Sequence, residues 1–208
     1  TIGDDAFLIN YYVENAQIDI EAVDDVLGYD FDYWSGGASG KTNPVTVTMN
    51  GNKTVTANFK QVPVYTLATD DQGKGTITIS PDGNSYEEGT EVTAVVSDVV
   101  TEYGFSGWSG ASNETNDTVT ITMDGNKSLT ANYYALPQYT LTVNNPSNGK
   151  VTMDPGPYYE GDTVFVTALP DWGYRFDGWS GDASTLNFTS MVVMDGNKSL
   201  NASFSSYP

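Results

Sequence analysis

One layout recurs three times along this chain, and no other feature limits its fold as strongly. In the third copy it reads YTLTV (Tyr139–Val143), NGKVTM, YYEGDTVFVTA, GYRFDGWSG and VVMDGNKSLNASF (Val192–Phe204). The second copy reads YTLAT (Tyr65–Thr69), GKGTITI, YEEGTEVTAVV, YGFSGWSG and TITMDGNKSLTANY (Thr120–Tyr133). The first reads AFLINYYVENAQIDIEAV, GYDFDYWSG and TVTMNGNKTVTANF (Thr46–Phe59). The tryptophans that mark the copies, Trp34, Trp108 and Trp179, are 74 and 71 residues apart. That period is too long for a solenoid of small repeats and suits a row of small domains. KQVPV and ALPQ read as linkers, which divides the chain into modules 1–62, 63–137 and 138–208.

Each module reads as β. In YTLTV, Tyr139, Leu141 and Val143 alternate onto one face, the pattern of a half-buried strand, and TVFVTA does the same. The tetrads DGNK and NGNK lie between β-rich runs, and Asp-Gly or Asn-Gly is a strong short-range hairpin signal. The same turn chemistry explains DGN at Asp82–Asn84 and Asp124–Asn126. Gly36, Gly110 and Gly181 close the Trp-Ser-Gly strands. The one stretch with helical character is Ala168–Tyr174 with its counterparts, about one turn. The spacing predicts all-β modules of about five or six strands, β-grasp-like or sandwich-like, with minimal helix. A tryptophan recurring between alternating apolar residues is a core residue. Trp172 does not recur, lies in the turn-like PDWGY, and is a candidate contact residue.

Composition agrees and excludes whole classes of chemistry. Among 208 residues there are 25 Thr, 14 Tyr and 8 Phe, types that suit a pleated surface and are scarce in disordered chains. There is no Cys and no His, so disulfides, thiolate or imidazole metal ligands and Ser-His-Asp catalysis are excluded. Eight Lys+Arg face 27 Asp+Glu, a net charge of −19, and Arg175 is the single arginine. Such a chain repels phosphate backbones and anionic lipid, which excludes nucleic acid as a partner. No apolar run approaches the ~20 residues that span a bilayer, so no membrane insertion is expected. TIGDDAFLIN does not read as a signal peptide.

The layout Y-T-L-T-V … Y-x-x-G-x-x-V … G-Y-x-F-x-G-W-S-G … M-D-G-N-K-S-x-x-A-x-F resembles the divergent InlB B-repeat of bacterial and archaeal surface proteins, and is similar to the Listeria–Bacteroides repeat. The pairing of G-W-S-G with D-G-N-K makes the resemblance specific, and it covers nearly the whole chain. It implies small tandem β modules on exported proteins, hence an extracellular or cell-surface location. It implies no active site, since the family brings no catalytic residues to carry over. Departures are Tyr33 in place of Gly, Asn50 in place of Asp, and Tyr103-Gly104-Phe105 in place of G-Y-x-F.

The first copy is short. The strand tyrosine precedes the tryptophan by 43 residues in the second copy (Tyr65 to Trp108) and by 40 in the third (Tyr139 to Trp179). Applied to Trp34, that offset falls before Thr1. The first module is therefore expected to lack its YTLTV strand, with Gly3 and Phe7, Leu8 and Ile9 in the second-strand place. A vacated sheet edge recruits a strand. The expectation is a homopolymer, head to tail, with Phe7–Ile9 and the tail residues Ser205, Ser206 and Tyr207 at the interface. A preceding segment in a longer chain, or Thr1–Asn10 folding back, would also fill the place.

Other chemistry is sparse. Glycoside hydrolysis needs only two carboxylates. The acidic residues here fall in loops and on polar strand faces, so no catalytic residue and no cofactor is assigned. Calcium favours hard oxygen ligands in turns, and Asp4, Asp5, Asp70, Asp71 and the stretch 113–117 are weak candidates, none matching the EF-hand loop. Asn52, Asn113, Asn116, Asn126, Asn187, Asn197 and Asn201 lie in Asn-x-Ser/Thr sequons, usable for glycosylation where the host has it. Two functions fit: a non-enzymatic filament or stalk subunit of the cell exterior, or a carbohydrate-binding, adhesive accessory module. The second rests on the aromatic excess, notably Trp172, Tyr11, Tyr12, Tyr158 and Tyr159.

Overall fold

The computed structural model of the chain describes residues 10–144 and 146–208. Among them every regular element is a strand. The first module holds β1 (Gln17–Ile20), β2 (Tyr29–Gly36), β3 (Val45–Thr48) and β4 (Val55–Gln61). The second holds β5 (Val64–Asp70), β6 (Thr76–Ser80), β7 (Ser85–Glu87), β8 (Glu91–Ser97), β9 (Tyr103–Gly110), β10 (Thr118–Thr122) and β11 (Lys127–Ala135). The third holds β12 (Gln138–Tyr139), β13 (Leu141–Val143), β14 (Gly149–Met153), β15 (Tyr158–Tyr159), β16 (Thr163–Pro170), β17 (Tyr174–Gly181), β18 (Thr189–Val193) and β19 (Lys198–Ser206).

The second module is a two-sheet sandwich. One sheet has the order β7-β5-β11-β9 and the other β10-β8-β6. The third module repeats it: β15 pairs β12, β13-β19-β17 continues that layer, and β14-β16-β18 covers it. The first strand of each complete module runs parallel to the last, β5 beside β11 and β13 beside β19, while the remaining pairs are antiparallel. Inward positions of both layers meet in one core per module. Leu67, Val92, Trp108, Met123 and Leu129 lie at the centre of the second, and Leu141, Val166, Trp179, Met194 and Leu200 at that of the third.

The recurring tryptophans are core residues, all three buried. Each indole N–H donates to a carbonyl of the following loop: Thr42 at 3.0 Å, Asn116 at 2.9 Å and Phe188 at 3.3 Å. Each ring packs on a phenylalanine three residues earlier, with Phe31, Phe105 and Phe176 centroids 5.0, 5.5 and 5.5 Å away. That spacing spans a β-bulge in every copy, at Phe31/Tyr33, at Asn132/Tyr133 on the partner strand, and at Phe176/Gly178.

Three sequence expectations need correction. The DGNK tetrads do not close hairpins. Asp124–Lys127 carries the chain from β10, which pairs β8, to β11, which pairs β5 and β9, so the tetrad crosses between the two sheets. Gly125 and Gly196 accordingly lack the positive φ that a primed hairpin turn requires. Ala168–Tyr174 has no helical turn: Ala168–Pro170 ends β16 and the chain turns at Asp171–Gly173. The complete modules carry seven strand positions rather than five or six.

The first module is described from residue 10 on. Its described strands β1, β2, β3 and β4 correspond to β8, β9, β10 and β11, with β1 on β3 and β2 on β4. Among the described residues no strand stands at the places of β5, β6 and β7. Gly3 and Phe7–Ile9 lie outside the described residues. Asn10–Val13 is not strand. Asn15 occupies the place of Gly89 and Gly161: its φ of +64° matches their +88° and +89°. Its N–H donates to Met49 at 2.8 Å, as theirs do to Met123 and Met194 at 2.7 and 2.8 Å. Asparagine tolerates this left-handed backbone better than most residues.

Candidate functional site

The features that distinguish the modules from one another lie at strand edges and module ends. In each complete module an asparagine at the sheet crossing fastens the incoming first strand. The Asn126 Oδ1 accepts the Thr66 N–H at 2.9 Å. The Asn197 Oδ1 accepts the Thr140 N–H at 2.9 Å and its hydroxyl at 3.1 Å. Beside each clasp a lysine binds the tetrad aspartate, Lys127 to Asp124 at 2.7 Å and Lys198 to Asp195. These hydrogen bonds, with the lysine charge behind them, hold both carboxyls below the usual carboxylate range. Next to the clasp, Lys127–Thr130 pairs in parallel with Leu67–Asp70.

In the first module the same place is taken by Asn52 and by Lys53–Thr56, with Asn50 where the aspartate would be. Among the described residues no strand pairs with that side of β4, and none donates to Asn52. The neighbouring tyrosine reports the same difference. Tyr86 and Tyr158 are 4% and 8% exposed, whereas Tyr12 at the equivalent position is 46% exposed. The Tyr86 hydroxyl donates to the Gly83 carbonyl at 2.7 Å, and the Tyr158 hydroxyl to Asp154. Burial raises both phenol pKa values, and nearby Asp82 and Asp154 raise them further.

The modules join through two-residue linkers bonded at both ends. The Val62 N–H donates back to Gly28 at 2.9 Å, and the Pro63 carbonyl accepts the Glu88 N–H at 2.9 Å. Leu136 and Pro137 repeat this with Glu102 at 2.9 Å and Glu160 at 3.0 Å. Across the first junction the Gly28 N–H also donates to the Glu87 carboxylate at 2.7 Å. Tyr207 follows the same rule, its N–H donating to Gly173 at 3.1 Å. Sequence reasoning missed this, although the signal was visible as an X-Pro step at equal distance after each Trp.

The remaining predicted residues are scattered. Asp4, Asp5, Phe7, Leu8 and Ile9 lie outside the described residues. Asp70 and Asp71 turn their carboxylates onto the N–H groups of Gln72 and Gly73 at 2.8 and 2.9 Å, which is local turn capping. Among the described residues no three Asp or Glu side chains gather as metal ligands. Ser205 and Ser206 belong to β19, paired with Arg175 and Tyr174 of β17, so a tail acting as a free donor strand would have to leave its own sheet. Trp172 is 99% exposed at the turn before β17, next to Gly173, whose carbonyl accepts the N–H of the exposed Tyr207. Asn126 and Asn197 use their Oδ1 in the clasp, and Asn201 stands on β19; all three are solvent-exposed, as are Asn52, Asn113, Asn116 and Asn187.

The described residues provide open grooves, one of them lined by Ala111, Ser112, Glu114, Asn116, Asp124 and Lys127. The divergent InlB B-repeat domain matches the chain at residues 9–63, 65–137 and 139–208. No curated protein and no solved structure matches it.

Proposed function

We propose, from the premise that the chain belongs to the divergent InlB B-repeat family, that it is a non-catalytic stalk element of an exported surface protein. Its first module takes a β-strand from another copy along β4, which links copies head to tail. The observation that carries this is the pairing of an edge and a clasp: Lys53–Thr56 and Asn52 repeat the parts that bind β5 and β13 in the other modules. The two-residue linkers suit a stalk, because they leave little slack between modules. A contact between two different surfaces of one subunit propagates rather than closes, which gives a filament.

The test is electron microscopy and light scattering of the chain, with and without a peptide of its own β5 sequence, VYTLATD. Filaments that shorten as the peptide is added are the expected result. A chain that stays monomeric at every concentration and does not bind the peptide overturns the reading.

A second reading, contact with an exported polysaccharide, is favoured by Trp172 and Tyr207, two exposed rings at one end of the third module. It expects polysaccharide pull-down that is lost on Trp172→Ala. Equal retention of the variant and the parent chain overturns it.

A further inference from the structure

The outer face of the β16–β18 pair differs from its counterpart in the second module. On β8 and β10 the outward positions include Glu91, which adds a charge, Val95, the one apolar residue among them, and Thr93, Thr120 and Thr122. At the same register in the third module stand Phe165, Met191 and Val193, 52%, 63% and 47% exposed. Phe165 and Met191 are direct cross-strand partners, and Val193 is diagonal to Phe165. The rest of this face on the two strands is Thr163, Thr167, Thr189 and Leu169, so it carries no charge. The third module is also the least acidic, with three basic and seven acidic residues in 138–208 against two and eleven in 63–137.

The patch borders a sheet edge. β18 is the last strand of its sheet. The ladder bonds flanking the β16–β18 pair run from the Ala168 N–H to Phe188 and from the Met194 N–H to Asp162. By the alternation of an antiparallel ladder, the N–H and C=O groups of Thr189, Met191 and Val193 then point away from β16, toward the open edge. Proteins blunt such edges with charge, proline or a bulge. β18 has none of these, and its outward side chains are among the most apolar on the surface.

We propose that β18 is a self-association edge, pairing antiparallel with β18 of a second copy about a twofold axis at Met191. In that register Thr189 faces the partner's Val193, and Met191 faces the partner's Met191. The outward groups of all three residues find partners, and the two Phe165–Met191–Val193 patches become one. A second copy suits this edge because the pairing is self-complementary, and because an acidic chain associates with itself most readily where its own charge is lowest. Such a contact closes at two copies, unlike the β4 contact, and is independent of it.

Sedimentation of the chain across a wide range of concentration, with hydrogen exchange of the Thr189, Met191 and Val193 amides, tests this. The expected result is a monomer–dimer equilibrium and amides that slow as concentration rises. The triple variant Phe165→Thr, Met191→Thr, Val193→Thr copies the second module's residues onto an identical scaffold. It is expected to weaken the dimer about tenfold or more through lost cross-strand contacts. Met191→Pro removes an N–H that serves no intramolecular ladder and should abolish the dimer while the module stays folded. A monomer throughout, or a dimer unchanged in the triple variant with these amides unprotected, overturns the proposal. Growth beyond a dimer that persists in both variants assigns association to β4 instead, and counts against β18.

Discussion

Replacing Trp108 by alanine is expected to unfold the second module while the third keeps its core. Trp108 is buried at the meeting of both sheets, packs edge-on against Phe105 at 5.5 Å, and donates its indole N–H to Asn116 at 2.9 Å. Truncating a buried aromatic costs about 3–5 kcal/mol, and the orphaned carbonyl of Asn116 adds to that. At roughly 0.05–0.15 kcal/mol per residue, a module of this size has a total stability of only about 4–10 kcal/mol. Each lost kcal/mol lowers Tm by about 4–8 °C in a domain of this length. Calorimetry should therefore show one transition falling far below the others. Hydrogen exchange should show lost protection at Val92, Val119 and Leu129 with Val166 and Leu200 still protected. A Tm that moves by only a few degrees would mean that the loop from Ala111 to Asp117 collapses into the space, and that the tryptophan is not the keystone of its module.

Gly181→Ala is the second large effect. Gly181 ends β17 with φ at +96°, and an added Cβ would fall far inside contact distance of the Ser199 carbonyl oxygen, with Leu200 Cα also close. Those are backbone atoms of a strand held between two others, so they have little room to yield. The left-handed backbone alone costs an alanine about 1–2 kcal/mol, and the clash comes on top. We expect a loss above about 3 kcal/mol, toward the upper end for local backbone strain, and a melted β17–β19 ladder. Gly173→Ala is the control. Its φ of +88° is similar, but nothing lies within 4 Å of its Cβ, so it loses only the backbone contribution. Equal denaturant midpoints for the two variants would show that the close approach at Ser199 carries no weight. Gly36 and Gly110 stand in the same geometry against Thr54 and Ser128, so the requirement recurs in every module.

Much of this architecture could be read from the residues. The alternation in YTLTV and TVFVTA placed those strands, and the recurrence of tryptophan placed the core, because both signals are local and repeated. The tetrads were misread for a physical reason. Asp-Gly and Asn-Gly report a local turn preference, whereas the pairing of β10 and β11 is decided by which long strands they meet across the sandwich. The role of Asn126 and Asn197 was hidden for the same reason: their partners Thr66 and Thr140 lie 60 and 57 residues away. The apolar edge of β18 was legible, since aligning the copies sets Phe165, Met191 and Val193 against Thr93, Thr120 and Thr122 in the second and against Asp19, Thr46 and Thr48 in the first. What the sequence could not supply was which side of each strand faces solvent and which strand lies at the edge.

The parallel placing of the first and last strands has a mechanical consequence. The chain enters a complete module at the start of β5 or β12 and leaves at the far end of β11 or β19, so its two ends emerge at opposite poles. Tension along the array therefore drags neighbouring strands lengthwise past each other. Their rungs are loaded together instead of peeling one by one, and the Asn126 and Asn197 clasps sit where sliding would start. Short linkers pass the load on without stretching first. Each sandwich is built as a shear lock against a pull along the array.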